Sequence, residues 1–352
     1  MTTSIDTCEP PKKRQPWKID IPVLILFFCR DEQLRKVFAS VKAARPSRLY
    51  LYQDGPRPGR EDDITGCMRC REIVGDGNID WDCEVHRCYQ TENSGCDPSE
   101  YRAQKWFFSH VDMGIVLEDD DVPAQSFFPF CKELLEKYRD DARVNMICGM
   151  NNIERIDWTP YSYVFTTSGA ITGWASWRRV IDMWEETIPC LEDRYFRQTF
   201  AARYRGMLDT KAALDRFERN NSSGTAHYEA IMGANALRNS MLNIVPTLNQ
   251  ISNIGITADA AHSGASLKTL PRGIRRIFFM RTYELEFPLR HPPYVMEDMR
   301  FLSKINRRMG RGFLRGACRR AESVLLRIRY GQFRSLWDAL RRRLHGREDL
   351  AP

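Results

Sequence analysis

Five residues of low polarity, Met113-Gly-Ile-Val-Leu117, run without a break into four consecutive carboxylates, Glu118-Asp119-Asp120-Asp121. Such an apolar run reads as a buried strand of an α/β sheet. It puts the four acids at the strand's carboxyl end rather than along a solvated helix face. Adjacent carboxylates repel one another, so gathering them costs free energy unless a cation offsets the charge. A hard divalent ion with oxygen ligands, Mn²⁺ or Mg²⁺, is the natural partner. A surface acidic turn is the plainer alternative.

The flanking segments alternate between two periods. Ile19–Phe28 contains the buried-strand pattern Val23–Phe28, and residues 31–44 place Leu34, Val37, Phe38 and Val41 at helical spacing. Leu49–Tyr52 reads as a strand stopped by Gln53-Asp54-Gly55-Pro56, Asp62–Val74 as a helix, and Cys83–Tyr89 as a strand. Asp97, Pro98 and Glu100 predict a capped helix start, with the helix running to His110. After the acidic run come a helix over Phe127–Tyr138 and a strand over Asn145–Gly149. The order predicts a mostly parallel α/β sheet flanked by helices. Ligands of such sheets sit at the strands' carboxyl ends, where Arg30, Asp54 and Glu118–Asp121 fall. In the second half we expect a strand at Tyr163–Ser168, a loop at Gly169–Gly173 and a helix over Trp174–Glu185. Charged helices over 190–218, a break at Asn220–Gly224, a helix over His227–Met241, a strand at Leu242–Pro246 and a loop from Asn253 to His262 complete the body.

An arginine at a strand end can pair with a diphosphate through forked hydrogen bonds, and an aspartate there can accept from a base or ribose. Alone, Arg30 and Asp54 read as turn or surface residues. Beside the acidic run they point to a nucleotide-diphosphate pocket. No Walker loop and no GxGxxG motif follows a strand, which removes support for kinase and dinucleotide readings.

These residues resemble a family. Cys29-Arg30, Gln53-Asp54-Gly55, Leu117-Glu118-Asp119-Asp120 and the Phe127-Phe128…Cys131 helix are similar to the GT-A-type nucleotide-diphospho-sugar transferases. The nearer likeness is to bacterial hemolytic-protein-like members. The more distant one is to the Golgi N-acetylglucosaminyltransferase that starts hybrid N-glycans. Gly173–Arg179 resembles the family's aromatic loop, and Asn249–Gly255 followed by His262 its late segment. The likeness covers roughly residues 20–265. It implies that Arg30 contacts the diphosphate and Asp54 the base, with uridine as the base. It also implies that Glu118 and Asp119 orient ribose and sugar, while Asp120 and His262 serve the metal. Where family members resemble Trp-Asp-Tyr-Gln-Trp, this chain has Ala226-His227-Tyr228-Glu229-Ala230. The catalytic base therefore stays open between Glu229 and His227, with Asp182, Glu185 or another residue behind them. Trp174, beside Gly173, is a candidate for stacking on the sugar; Trp177 reads as core.

The resemblance implies a metal-dependent glycosyltransferase moving a sugar from a nucleotide-sugar to a glycan or lipid-linked acceptor, with inversion. Two rivals stand beside it. A sugar-nucleotide pyrophosphorylase would carry a glycine-rich loop after the first strand, and residues 29–36 hold no glycine. A non-catalytic nucleotide-sugar binder or membrane-surface scaffold would keep the acidic run and lack a working base.

The net charge of +7 is uneven. Residues 301–352 carry thirteen Arg and Lys304 against four acids, about +10, so the rest of the chain is about −3. Arginine mixed with Phe301, Leu302, Val324-Leu325-Leu326 and Leu336-Trp337 makes this tail basic and amphipathic. It suits an anionic membrane surface, or a helical face packed on the body. No nucleic-acid module accompanies the charge. We thus expect a leader over 1–18, a transferase domain over 19–265 and a basic helical extension over 266–352. The apolar run at Val23–Phe28 is too short to span a bilayer or to form a signal, which makes the cytoplasm the default compartment, with the protein peripheral at the inner face of the membrane. The eleven cysteines are an odd number, unlike a secreted disulfide framework. Cys67 and Cys70 have CxxC spacing, and with Cys83 and Cys88 they are a candidate zinc set; free thiols are the alternative.

Overall fold

Backbone pairing between distant segments organises the chain around one eight-stranded sheet. The computed structural model describes residues 14–206, 209–256, 267–311, 313–333 and 337. The first half gives β1 (Ile19–Phe27), α1 (Asp31–Ala44), β2 (Pro46–Gln53), α2 (Glu61–Ile73), β3 (Glu84–Tyr89), α3 (Cys96–His110), β4 (Met113–Glu118), β5 (Asp121–Pro123), α4 (Phe127–Lys137) and β6 (Val144–Cys148). The second half gives β7 (Tyr163–Thr166), β8 (Trp174–Trp177), α5 (Arg178–Ile181), α6 (Arg194–Arg203), α7 (Thr210–Ser223), α8 (Tyr228–Arg238), β9 (Leu242–Pro246), β10 (Ile251–Asn253), α9 (Arg272–Arg275), α10 (Met299–Arg308) and α11 (Phe313–Arg329).

The sheet order is β3-β2-β1-β4-β8-β6-β9-β7. β1 pairs in parallel with β2 and β4, β2 with β3, and β6 with β9. β8 lies antiparallel between β4 and β6, and β7 is antiparallel to β9. The fold is therefore α/β with a mostly parallel sheet flanked by helices. Register places the site: Leu26 lies between Tyr52 and Glu118, so Arg30, Asp54 and Asp119–Asp121 emerge from one edge. Val23–Ile25 of β1 and Ile115–Leu117 of β4 are 0–1% exposed, as expected for strands covered on both faces. The close packing has one demanding point. A side-chain carbon at Gly114 would lie 2.4 Å from the Phe107 ring and 3.0 Å from the Pro22 carbonyl, so α3 seats only against glycine there.

Several local expectations give way to tertiary packing. Residues 174–177 form strand β8, not a helix, because both neighbouring strands offer them backbone partners. The Asp97–Glu100 capping box does not form: α3 starts two residues earlier, at Cys96 after Gly95 at φ 84°, and no side chain caps it. α7 runs through Asn220 to Ser223, and left-handed Gly224 ends it. Gly316 lies inside α11. Two short strands not foreseen, β5 and β10, pair antiparallel and bring the late segment onto the acidic run.

The ends of the chain are also tied in. Gln15 bridges to Trp81, and its N–H donates to the Asp80 carbonyl at 2.9 Å; residues 1–13 of the expected leader lie outside the described residues. Phe301, Leu302 and Ile305 of α10 are 1–3% exposed and belong to the same core as the sheet. α10 thus packs as part of the body, although it falls in the expected 266–352 extension. Cys67 and Cys70 sit buried on α2, while Cys83 contacts the Glu84 carbonyl and Cys88 receives the Gln90 amide. Among the described residues no cluster of three or more His, Cys, Asp or Glu could hold a metal, so the zinc expectation is not met.

Truncating Phe301 to Ala should lower the unfolding free energy by about 3–5 kcal/mol, as a cavity beneath a fully buried ring does. Urea denaturation followed by far-UV circular dichroism measures it. A loss near zero would mean that α10 is not part of the cooperative core.

Candidate functional site

The acidic run bends at the end of β4 so that its carboxylates turn inward. Asp119, Asp120 and Asp121 are 2%, 6% and 1% exposed. Phe28, Cys29 and Arg30 connect β1 to α1, and this short link carries the Arg30 guanidinium across to them. Its Nη1 donates to Asp120 Oδ2 at 2.8 Å, and its Nη2 pairs with Asp119 Oδ1. Backbone N–H groups add to this. Phe28 donates to Asp119 Oδ2 at 3.3 Å, Gly173 to Asp121 Oδ2 at 2.7 Å and Glu118 to the same oxygen at 3.2 Å.

The late segment closes over the same point. The Asn253 amide donates to Asp120 Oδ1 at 3.2 Å, and the Ile254 N–H to the Asp120 carbonyl at 2.9 Å. Gly255 approaches so closely that a side-chain carbon there would stand 2.0 Å from Asp120 Oδ2. His262 lies outside the described residues.

The charges are not balanced. Burial pushes the Asp119 carboxyl up to about 6, against the pull of Arg30. Burial, with Asp120 beside it, holds Asp121 well above the usual carboxylate range. Glu118 is raised by burial and then by Glu100 and its own acidic neighbours. For Arg30, burial favours the neutral form, but Asp119 and Asp120 overcome it and hold its pKa above the ordinary value. One guanidinium does not offset this many buried acids, so the cluster favours a proton or a cation.

Glu118 is also the link to a cavity of about 970 Å³. Asp97 and Glu100 of α3 and Tyr228 and Glu229 of α8 line it with Glu118. The Tyr228 hydroxyl donates to Glu118 Oε1 at 3.4 Å. Burial pushes Glu100 up to about 7, and its Oε2 has no partner. Glu100 was read from sequence as a cap. Its i,i+3 spacing from Asp97 on a helix was the available sign that both face one side.

The other candidate residues divide. The Glu229 carboxylate has no hydrogen bond or ion pair among the described residues, and burial raises its pKa while Arg216 lowers it. His227 caps α8, but its Nδ1 is 3.0 Å from Asp97 Oδ2 and its Nε2 3.2 Å from Ser223 Oγ. Both ring nitrogens are therefore engaged. Asp54 is 7% exposed and turned onto its own backbone: it accepts from Gly55 and Ser94 N–H at 3.0 Å, Gly95 N–H at 3.2 Å and the Asn93 amide at 3.0 Å. Trp174 corrects an expectation. It is 1% exposed, stacked 6.3 Å from Phe108 and tilted against Trp184 at 6.4 Å, because β8 is central in the sheet; its ring is core and does not face a sugar.

The donor set fits a hard divalent ion by chemistry. No three carboxylates converge, but Mg²⁺ and its relatives are commonly held by one or two carboxylates with phosphate oxygens and water. Asp120, the most exposed of the three aspartates at 6%, accepts from Arg30 at Oδ2 and from Asn253 at Oδ1.

The raised Glu100 pKa has a stability consequence. Below about pH 4.5 the group is protonated in both the folded and unfolded states. As pH rises toward 7 the unfolded chain ionises freely and the folded one resists, so stability is lost across that window. Glu100→Gln should therefore raise the melting temperature relative to the unsubstituted protein at pH 8 and have little effect at pH 4.5. Melting curves across this range check it; an equal shift at both pH values would contradict the burial of an ionisable Glu100.

No protein-family model matches the sequence, and no curated protein matches it. Solved structures show distant similarity. A 4-diphosphocytidyl-2C-methyl-D-erythritol synthase from Anaerococcus prevotii is 11% identical, with 46% of this chain and 73% of that chain covered and a TM-score of 0.29. A UDP-glucose pyrophosphorylase complexed with UDP-glucose is 8% identical, covering 46% and 78%, with a TM-score of 0.29. An apo UDP-glucose pyrophosphorylase is 8% identical, covering 66% and 93%, with a TM-score of 0.33. At these values the similarity assigns no chemistry to this chain.

Proposed function

We propose that the chain is a metal-dependent glycosyltransferase that moves a sugar from a nucleotide-sugar, of the UDP type, to a hydroxyl of a glycan or lipid-linked acceptor with inversion. One observation carries the reading. The buried acidic run at the end of β4 holds more negative charge than Arg30 offsets, and through Glu118 it opens on a cavity in which Glu229 presents an unengaged carboxylate.

A nucleotide diphosphate adds negative charge to an already acidic edge, so a divalent cation has to accompany it. Bound at Asp120, Mn²⁺ or Mg²⁺ would neutralise charge on the departing diphosphate. Arg30 would then turn one N–H group from Asp120 to a phosphate oxygen while Asp119 keeps it in place. Glu118 and Asp119 would orient ribose and sugar, and Asp54 would hold the 93–95 turn against the base. His262, as second metal ligand, rests on the resemblance alone.

The acceptor hydroxyl loses a proton as its oxygen attacks the anomeric carbon. Glu229 is the acceptor of that proton that the surroundings favour: it lines the cavity, and burial raises its pKa toward the working range of a general base. His227 has no free ring nitrogen, and its pairing with Asp97 instead ties α8 to α3 and so positions Glu229. The pyrophosphorylase alternative is disfavoured by the Phe28–Arg30 link, which is too short and too free of glycine to wrap a triphosphate.

α11 supports a membrane-surface partner. Val324, Leu325 and Ile328 are 45%, 66% and 46% exposed, as is Phe333 beyond it at 62%, on a helix rich in arginine. No helix among the described residues is long and apolar enough to cross a membrane.

Donor binding and hydrolysis with UDP-, GDP- and dTDP-sugars and Mn²⁺ test the main reading. Asp120→Ala should abolish Mn²⁺-dependent donor binding. Glu229→Gln should lower turnover by about 10²–10⁴-fold with donor affinity retained, whereas His227→Gln should cost much less. Unchanged affinity in Asp120→Ala would remove the metal site, and intact binding with no turnover of any donor would favour a scaffold. Replacing Leu325 and Phe333 with Glu should weaken sedimentation with anionic vesicles; equal sedimentation would exclude α11 as the contact.

A further inference from the structure

The cavity has a second wall that the transfer reaction leaves unexplained. Besides the acids, among them Asp209 at the start of α7, the cavity is lined by Arg216 and Arg219 of α7, Arg311 just after α10, and Arg319 and Arg320 of α11. None of the five makes an ion pair among the described residues. Their recorded contacts are neutral: Arg319 Nη1 donates to the Met309 carbonyl at 3.0 Å, and Arg311 Nη1 to Ser168 Oγ at 3.3 Å and Asn306 Oδ1 at 3.4 Å. Burial, then the nearby Arg216 and Arg319 charges, push the Arg311 pKa down. Arg311 thus feels the like charges of Arg216 and Arg319, from two other elements, in one cavity, and none of the three forms an ion pair among the described residues. Such a grouping is stable when an anion joins it, and the planar fork of arginine matches phosphate oxygens.

The place of this wall separates it from the donor. Arg30, Asp54, Asp119, Asp120 and Asp121 do not line the cavity, and Glu118 alone belongs to both the strand-end cluster and the cavity. A donor diphosphate over the strand ends therefore lies on one side of Glu118 and the arginines on the other. Glu229 lines the cavity with the arginines, and the Arg216 charge lowers its pKa against burial.

We infer that the acceptor carries a phosphate or diphosphate group, which Arg216, Arg311 and Arg319 seat so that its reacting hydroxyl faces Glu229. This deepens the proposed transfer and rests on it for the word acceptor; the anion site itself does not. A phosphate held there fixes one end of the acceptor and orients the hydroxyl for attack. Soluble sugar phosphates and lipid-borne phosphates share this chemistry.

Calorimetry on the full chain with EDTA present, using inorganic pyrophosphate as probe, tests the site without a metal-dependent donor pocket. The unsubstituted protein should bind pyrophosphate, and the double substitution Arg216→Gln with Arg319→Gln should weaken binding at least about tenfold. Asp120→Ala should leave it unchanged. Arg216 is exposed and Arg319 half-buried, so folding of the double variant is checked by its melting temperature. A second arm measures binding to phosphatidylcholine vesicles with and without a prenyl phosphate. Arginine-dependent binding in either arm supports the site, and the stronger arm identifies the source as soluble or lipid-borne. Equal binding by the double variant in both arms, or loss in Asp120→Ala to the same degree, overturns it. UDP-sugar binding with Mn²⁺ on the same proteins keeps the two proposals apart. Donor binding retained while pyrophosphate binding ignores the arginines sinks only the anion site; arginine-dependent pyrophosphate binding with no donor binding sinks only the transferase.

Discussion

A single guanidinium, Arg30, spans the carboxylates of Asp119 and Asp120 and so joins the end of β1 to the end of β4. Each partner needs the other. Buried unpaired carboxylates carry a large desolvation cost, and an arginine in the same place would too. The pair does not close the account, however, because Asp121 and Glu118 add charge that Arg30 does not reach. The protein meets the remainder with the N–H groups of Phe28, Glu118 and Gly173, the Asn253 amide, and raised carboxyl pKa values. A cluster maintained in that state favours a proton or a cation.

Elements far apart in sequence complete what that interaction begins. β10 pairs with β5 and lowers Asn253 and Gly255 onto Asp120, so the acidic run is enclosed by a segment more than a hundred residues later. On the other side of Glu118, α3 and α8 supply acids and α7 and α11 supply arginines to one cavity. The cavity is lined by groups of both signs, with Glu118, Glu100 and Glu229 among the acids and Arg311 and Arg319 among the bases. α10 anchors the returning chain in the core through Phe301, Leu302 and Ile305, which lets α11 both line the cavity and expose Leu325 and Ile328.

Much of the parallel half of the fold was legible because each strand there is a continuous apolar run and each helix has its own apolar face. β1, α1, β2, α2, β3, β4, α4 and β6 fall within a few residues of expectation. The start of α3 was misread because Asp97 and Glu100 look like caps locally but face the cavity and His227 instead. Trp174 and Trp177 have helical spacing, yet the empty place between β4 and β6 makes them a strand. β5 and β10 were missed because three-residue strands have no period to read. Arg30 pairs with Asp119 and Asp120 at the strand ends, and Glu118 and Glu229 line the cavity. Asp54 is spent on the 93–95 turn, and Arg311, Arg319 and Arg320 were counted with the tail because a charge count carries no direction.

The sequence by itself determined the α/β class and the strand end that delivers the acidic run. Those properties follow from local period and from adjacency along the chain, which need no knowledge of distant contacts. The tertiary structure alone decided which acids are engaged and which are open, that His227 is tied up while Glu229 is not, and that Arg311, Arg319 and Arg320 of the basic tail line the cavity. Each of these depends on pairs separated by dozens to hundreds of residues, and hydrogen-bond competition in a buried space is settled only when those partners meet.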